Sequence, residues 1–185
     1  TGKLLVMGEV TEEALCEVYR EQTRILADAG ADAIIIETMA DVAEAACAVR
    51  ASRETGLPVV ACMVYASGKN RDRTMMGVTP EQAARELTAA GADVIGANCG
   101  QGIAGYIEIC RRLRAATDLP LWIKPNAGLP ELVDGRAVYR TTPEEFAAHV
   151  PALLDAGASF VGGCCGTSPA FLRAVAAKVR ERRGK

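Results

Sequence analysis

Asp155-Ala156-Gly157-Ala158-Ser159-Phe160-Val161-Gly162-Gly163-Cys164-Cys165-Gly166-Thr167 is the stretch whose reading decides the fold. A helical pattern ends at an Ala-Gly-Ala turn, as a helix-terminating glycine should end it. A short apolar run follows, and polar residues close it. The same order occurs twice earlier, at Asp28-Ala29-Gly30-Ala31 before Ala33-Ile34-Ile35-Ile36 and at Ala89-Ala90-Gly91-Ala92 before Val94-Ile95-Gly96-Ala97. Seven positions beyond each turn glycine stand Glu37, Asn98 and Cys164; eight beyond stand Thr38, Cys99 and Cys165. Three similar units therefore deliver polar residues to the same end of three strands. Two further apolar runs, 57–65 and 119–125, lie between them, so the marked strands are expected to alternate with unmarked ones in one sheet.

Working outward, the pattern predicts strands over 33–37, 58–64, 93–98, 121–124 and 160–163. Helices are expected over 12–29, 42–54, 80–90, 103–116, 143–156 and 169–182. Thr11, Asp41, Thr79 and Thr142 stand where N-caps belong, and Pro80 and Pro143 occupy first-turn positions. Leu4-Leu5-Val6-Met7 reads as a short strand or packed loop, and 66–78 and 125–140 as loops. Strict alternation of short apolar strands and amphipathic helices implies parallel pairing with the strands buried. No Gly-x-Gly-x-x-Gly follows the first strand, which speaks against a dinucleotide fold. Polar groups at the carboxyl ends of alternate strands follow the rule of the (βα)8 barrel. The expected fold is α/β of the (βα)8 TIM-barrel family, here an incomplete barrel of about five βα units, forming a single domain over 1–185.

The 185 residues suffice for one substantial core. A net charge of −2 and few aromatic residues argue against a nucleic-acid partner. No apolar run approaches the roughly 20 residues of a membrane helix, so no membrane partner is expected. Seven cysteines without dense spacing suggest a reduced, cytoplasmic setting. Cys16, Cys47, Cys62 and Cys110 fall in helical or strand patterns and read as small buried apolar residues. His149 falls in a helix and reads as a surface or packing residue.

Cys99, Cys164 and Cys165 remain. Thiolates are soft ligands that suit zinc, and three protein ligands leave one position open, the mark of a catalytic site rather than a structural one. Vicinal cysteines on a regular strand point to opposite faces. The backbone must therefore bend at Cys164-Cys165, and Gly162, Gly163 and Gly166 permit it. Gly96, Gly100 and Gly102 flank Cys99 in the same way, a pattern hard to explain by core packing. Three thiolates and a zinc ion carry a net charge of about −1. Such a site favours holding an incoming thiol as thiolate, and alkyl transfer to that sulfur follows naturally. From local sequence alone, buried apolar cysteines and a redox-active vicinal pair stay open. Glu37, one alternate strand away, is placed either to pair with an amino-acid ammonium or to serve as a capping or salt-bridged carboxylate.

Ile36-Glu37-Thr38-Met39, Gly96-Ala97-Asn98-Cys99, Pro125-Asn126-Ala127-Gly128-Leu129-Pro130 and Gly162-Gly163-Cys164-Cys165-Gly166-Thr167 together resemble the homocysteine S-methyltransferase family. The resemblance implies zinc held by Cys99, Cys164 and Cys165, homocysteine sulfur at the fourth position, and Glu37 on the substrate's amino group. The product would be methionine. The 125–130 loop looks more like the methionine synthase branch, and like bacterial proteins that fuse this domain to a methylenetetrahydrofolate reductase, than like the betaine enzymes, implying a methyl-corrinoid or methyltetrahydrofolate donor, with any cobalamin on a separate domain or protein. The family pattern places three more strands ahead of Thr1-Gly2-Lys3, which resembles the end of the third of those units. A second copy of the chain is a candidate to cover the open barrel edge. Transfer to another thiol or a selenol, and a non-catalytic zinc-binding barrel fragment, are the alternatives.

Overall fold

The computed structural model describes residues 5–184. Five parallel strands form one sheet: β1 (Ile34–Met39), β2 (Val59–Met63), β3 (Val94–Gly102), β4 (Leu121–Asn126) and β7 (Phe160–Val161). The strand order is β1-β2-β3-β4-β7. Within this sheet each strand pairs with the next sheet strand along the chain, and the order never reverses. A doubly wound sheet reverses at a switch point, whereas a barrel wall runs in sequence. The three strands that carry the Ala-Gly-Ala register are β1, β3 and β7, the alternate strands, as the spacing predicts.

Helices α1 (Glu12–Asp28), α2 (Val42–Arg53), α3 (Pro80–Ala90), α4 (Tyr106–Arg114), α5 (Pro143–Ala148), α6 (Val150–Asp155) and α7 (Pro169–Arg183) complete the chain order. Thr11, Asp41, Thr79 and Thr142 each accept a backbone N–H at the helix start, and Thr142 forms a full capping box with Glu145. Gly91 ends α3 in the left-handed conformation, φ 98°. The core lies between sheet and helices. Ile34, Ile36, Ala61, Met63, Ile95, Ala97, Leu121 and Ile123 meet Val49, Leu87, Ile109, Leu113, Phe146 and Leu153 there. Alternate residues along the strands, among them Glu37, Cys62, Asn98 and Lys124, face the other side of the sheet.

The structure differs from the sequence reading at several points; one is that the expected helix over 103–116 opens as a 3-10 turn, Ile103–Gly105, before α4. The 143–156 helix is two, because Pro151 has no N–H to offer the preceding turn and its ring crowds the carbonyl four residues back. His149 sits at that break, half-buried. The 125–140 loop carries a small antiparallel hairpin, β5 (Glu131–Val133) and β6 (Arg136–Val138). Leu5–Met7 is a 3-10 turn, while Leu4 and Thr1-Gly2-Lys3 lie outside the described residues. Cys16 and Cys47 are not independent apolar residues: they form a disulfide across the packed pair α1 and α2. Their separation of 31 residues carries no signal, because the pairing depends on which helix faces meet. Cys62 and Cys110 are buried free thiols as expected, and burial pushes them up to about 12 and about 11.

The disulfide is not alone in holding α1. Glu12 pairs with Arg50 and Arg20 with Glu54 across the same helix interface. Reduction, or Cys16→Ser, is therefore expected to cost about 2 kcal/mol, the low end for a loop of this size. Urea unfolding with and without reductant measures it, and coincident transitions would refute it. Among the described residues no helix is long and apolar enough to cross a membrane.

Candidate metal centre

The register delivers Cys99 near the carboxyl end of β3, three residues before Gly102, and Cys164-Cys165 just beyond β7. Cys99 sits at φ 62°, and Thr38, its equivalent on β1, at φ 60°. Both are non-glycine residues in the left-handed region, which is uncommon and for a β-branched residue such as Thr38 a genuine outlier. The surroundings hold each of them. The Tyr106 hydroxyl, fully buried, donates to the carbonyls of Asn98 (3.1 Å) and Cys99 (3.0 Å). The Thr38 N–H donates to Asn98 Oδ1 at 2.8 Å, and Asn98 Nδ2 donates to Thr38 Oγ1 at 2.8 Å. Tyr106→Phe is expected to destabilise by about 1–2 kcal/mol, since the buried Asn98 carbonyl and the partly buried Cys99 carbonyl lose the proton they share. If the cluster holds a metal, the variant should also release it faster to a chelator. Thermal unfolding and a chelator challenge read the two effects, and an unchanged chelation rate would refute the second.

At Cys164-Cys165 the strand has ended and the chain turns. The Cys164 N–H donates to the Pro125 carbonyl (2.8 Å), the Cys165 N–H to Asn126 Oδ1 (3.0 Å), and the Ala127 N–H to the Cys165 carbonyl (2.9 Å). The β4 exit thus templates the turn from the side. Gly166 has φ 79°, and a Cβ there would lie 2.3 Å from the Tyr139 ring. The bend deduced from the vicinal cysteines is what the backbone shows. Gly96 answers to a different need: a Cβ there would meet the Trp122 carbonyl oxygen at 2.4 Å and Cys62 Sγ at 2.5 Å. Packing across the sheet explains this glycine, against the expectation that core packing would not.

The three sulfurs lie within 4.8 Å of one another. Cys99 to Cys165 is 3.8 Å and Cys164 to Cys165 is 3.9 Å. A tetrahedral zinc with bonds of about 2.3 Å requires sulfur–sulfur edges of about 3.8 Å. The donor set therefore fits such an ion in spacing and in chemistry. Partial desolvation of the sulfur first, then Cys99 and Cys164 beside it, push the Cys165 thiol up to about 11. Cys165 itself is exposed, so the cluster opens outward.

Glu37 faces this cluster across Asn98, whose Nδ2 lies 3.5 Å from Glu37 Oε2 and 3.8 Å from Cys164 Sγ. The sequence reading missed two partners. Asn98 is fully buried and organises both Thr38 and the Glu37 corner. Lys124, 6% exposed, forms an ion pair with Glu37 and stacks over Trp122, 4.4 Å from the ring centroid. A signal existed for Lys124: a lysine inside Leu121-Trp122-Ile123-Lys124 of a buried parallel strand must find a counter-charge.

The chain belongs to the homocysteine S-methyltransferase family, whose model matches residues 1–179. It is 34% identical over 184 residues to methionine synthase of Mycobacterium tuberculosis, covering 96% of this chain and 15% of that protein. It is 29% identical over 210 residues to S-methylmethionine–homocysteine S-methyltransferase of Rattus norvegicus, covering 99% of this chain and 57% of that one. Among solved structures, the metallated form of the homocysteine methyltransferase MmuM from Escherichia coli superposes with a TM-score of 0.74 at 23% identity. That match covers 92% of this chain and 53% of MmuM, and it establishes the barrel fold. The chain thus spans only part of the length of each of these relatives.

Proposed function

We propose that this domain carries out methyl transfer to the sulfur of homocysteine, forming methionine. The observation that supports it most is the three-thiol cluster at the ends of alternate strands, with edges of 3.8 and 3.9 Å and one side open. Cys99, Cys164 and Cys165 would hold zinc, and a solved neighbour exists in a metallated form. Zinc bound there supplies the Lewis acidity that keeps a thiol ionised near neutral pH.

The chain's own residues supply the rest. Glu37, partly exposed at the mouth, receives the substrate's ammonium and directs its side chain toward the cluster. Asn98 and Thr38 fix the backbone on which Glu37 stands. The turn after β7 holds Cys164 and Cys165 on one side, leaving the other free for the substrate. The substrate loses its thiol proton to solvent; its sulfur then forms a bond to the donor's methyl carbon as the donor–methyl bond breaks in line. The donor is a methyl-corrinoid or methyltetrahydrofolate system on a separate domain or protein, a reading supported by the 125–130 loop and by the identity to methionine synthase.

Metal-edge X-ray absorption of the zinc-loaded chain, with and without homocysteine, tests the proposal. A three-sulfur shell that gains a fourth sulfur is expected. A shell indifferent to homocysteine would overturn it.

A further inference from the structure

We propose that Lys124 is a specificity-determining residue. It makes the Glu37 corner accept a thiol that carries both an ammonium and a carboxylate, and disfavour one that carries an ammonium alone. The inference rests on the reading above, in which Glu37 receives the substrate's amino group.

The argument begins with where the charges lie. Lys124 points from β4 across the sheet's open face, and its stem passes Gly162, where a Cβ would stand 3.2 Å from Lys124 Cγ. A side chain at 162 would crowd both the lysine stem and Trp122 Nε1, at 3.3 Å, so the glycine gives room to this pair as well as to the cysteine turn. The ammonium ends on Glu37 Oε1 and over the Trp122 ring. The Lys124 side chain is 8% exposed, while that of Glu37 is 43% exposed. One carboxylate oxygen is thus occupied from below by a cation that does not reach solvent. The other, Oε2, is left toward Asn98 and the cluster.

A ligand arriving at Glu37 therefore meets a carboxylate whose charge is already balanced. Its ammonium gains from Glu37 and loses to Lys124 at a comparable distance, and in a partly desolvated site neither effect is negligible. An α-carboxylate on the same ligand restores the balance, because Lys124 attracts it. The zwitterion's carboxylate adds an attraction to Lys124 that offsets the repulsion of its ammonium; a simple aminothiol meets the same Glu37 attraction and the same Lys124 repulsion with no such offset. The lysine converts an ammonium site into an amino-acid site without touching the substrate.

Calorimetric titration of the zinc-loaded chain with homocysteine and with 3-mercaptopropan-1-amine, its decarboxylated analogue, tests this. The wild type is expected to favour homocysteine by about tenfold or more, and Lys124→Met to lose most of that preference by tightening the amine. A purely structural role would weaken both ligands together and leave their ratio unmoved, and that result would overturn the inference. The wild-type ratio does not depend on any variant folding: no preference there overturns the inference while homocysteine binding upholds the functional reading. Failure of the wild type to bind either thiol would overturn both.

Discussion

On the proposed reading, in which Cys99, Cys164 and Cys165 hold zinc for methyl transfer, replacing Cys165 by serine is expected to empty the metal site and stop turnover while the domain stays folded. Cys165 is exposed, and what holds its segment is backbone: its N–H on Asn126 Oδ1 and its carbonyl under the Ala127 N–H. Serine keeps both bonds. It does not keep the ligand, because a hydroxyl ionises far less readily than a thiol and binds zinc poorly. Two thiolates remain, too few for a stable tetrahedral site. Metal content is expected to fall from about one equivalent to below about 0.1, and turnover by on the order of a thousandfold. Cys62→Ala is the matched control, a buried thiol outside the cluster, and should keep its metal. Metal analysis by mass spectrometry beside a methionine-formation assay decides the matter. A Cys165→Ser protein with full metal and full turnover would remove the cluster from the chemistry.

How far the chain could be read without coordinates follows from what each feature depends on. The repeated Ala-Gly-Ala turn is local, and so are the caps at Thr11, Asp41, Thr79 and Thr142. From these the strand order and the convergence of Glu37, Cys99, Cys164 and Cys165 followed, because equal spacing from equivalent turns must reach the same sheet end. The bend at Cys164-Cys165 was legible too, since ligand geometry demanded it. What escaped was non-local. The Cys16–Cys47 bond depends on the rotation of two helices about their axes. The role of Gly96 depends on Cys62 and Trp122, on the two neighbouring strands. The left-handed conformations of Thr38 and Cys99 are paid for by Asn98 and Tyr106, residues whose types announce nothing by themselves. Lys124 is the instructive case. A charge inside an apolar run was visible, but its partner lies 87 positions away.

That pairing leads to the second large effect, an asymmetry between its two ends. Glu37→Gln leaves the Lys124 ammonium buried with no counter-charge, and breaking a buried pair from one side typically costs 3–5 kcal/mol. Here the Trp122 ring retains part of the stabilisation, so a loss of about 3 kcal/mol is expected. Lys124→Met leaves the opposite orphan, a carboxylate that is 43% exposed and that water can solvate. Its loss should stay near 1 kcal/mol, as for exposed pairs. The double variant Glu37→Gln/Lys124→Met removes both charges and should recover to within about 1 kcal/mol of the wild type, since methionine fills the lysine stem's path and no buried charge remains. Stability and binding then separate. Denaturant unfolding should rank Glu37→Gln lowest and the double variant above it. Homocysteine affinity should instead fall about 10–100-fold in both, because each lacks the carboxylate proposed to meet the ammonium. Equal destabilisation by the two single changes, or simple addition in the double, would mean that solvent reaches Lys124 and that the ion pair does not define this corner of the site.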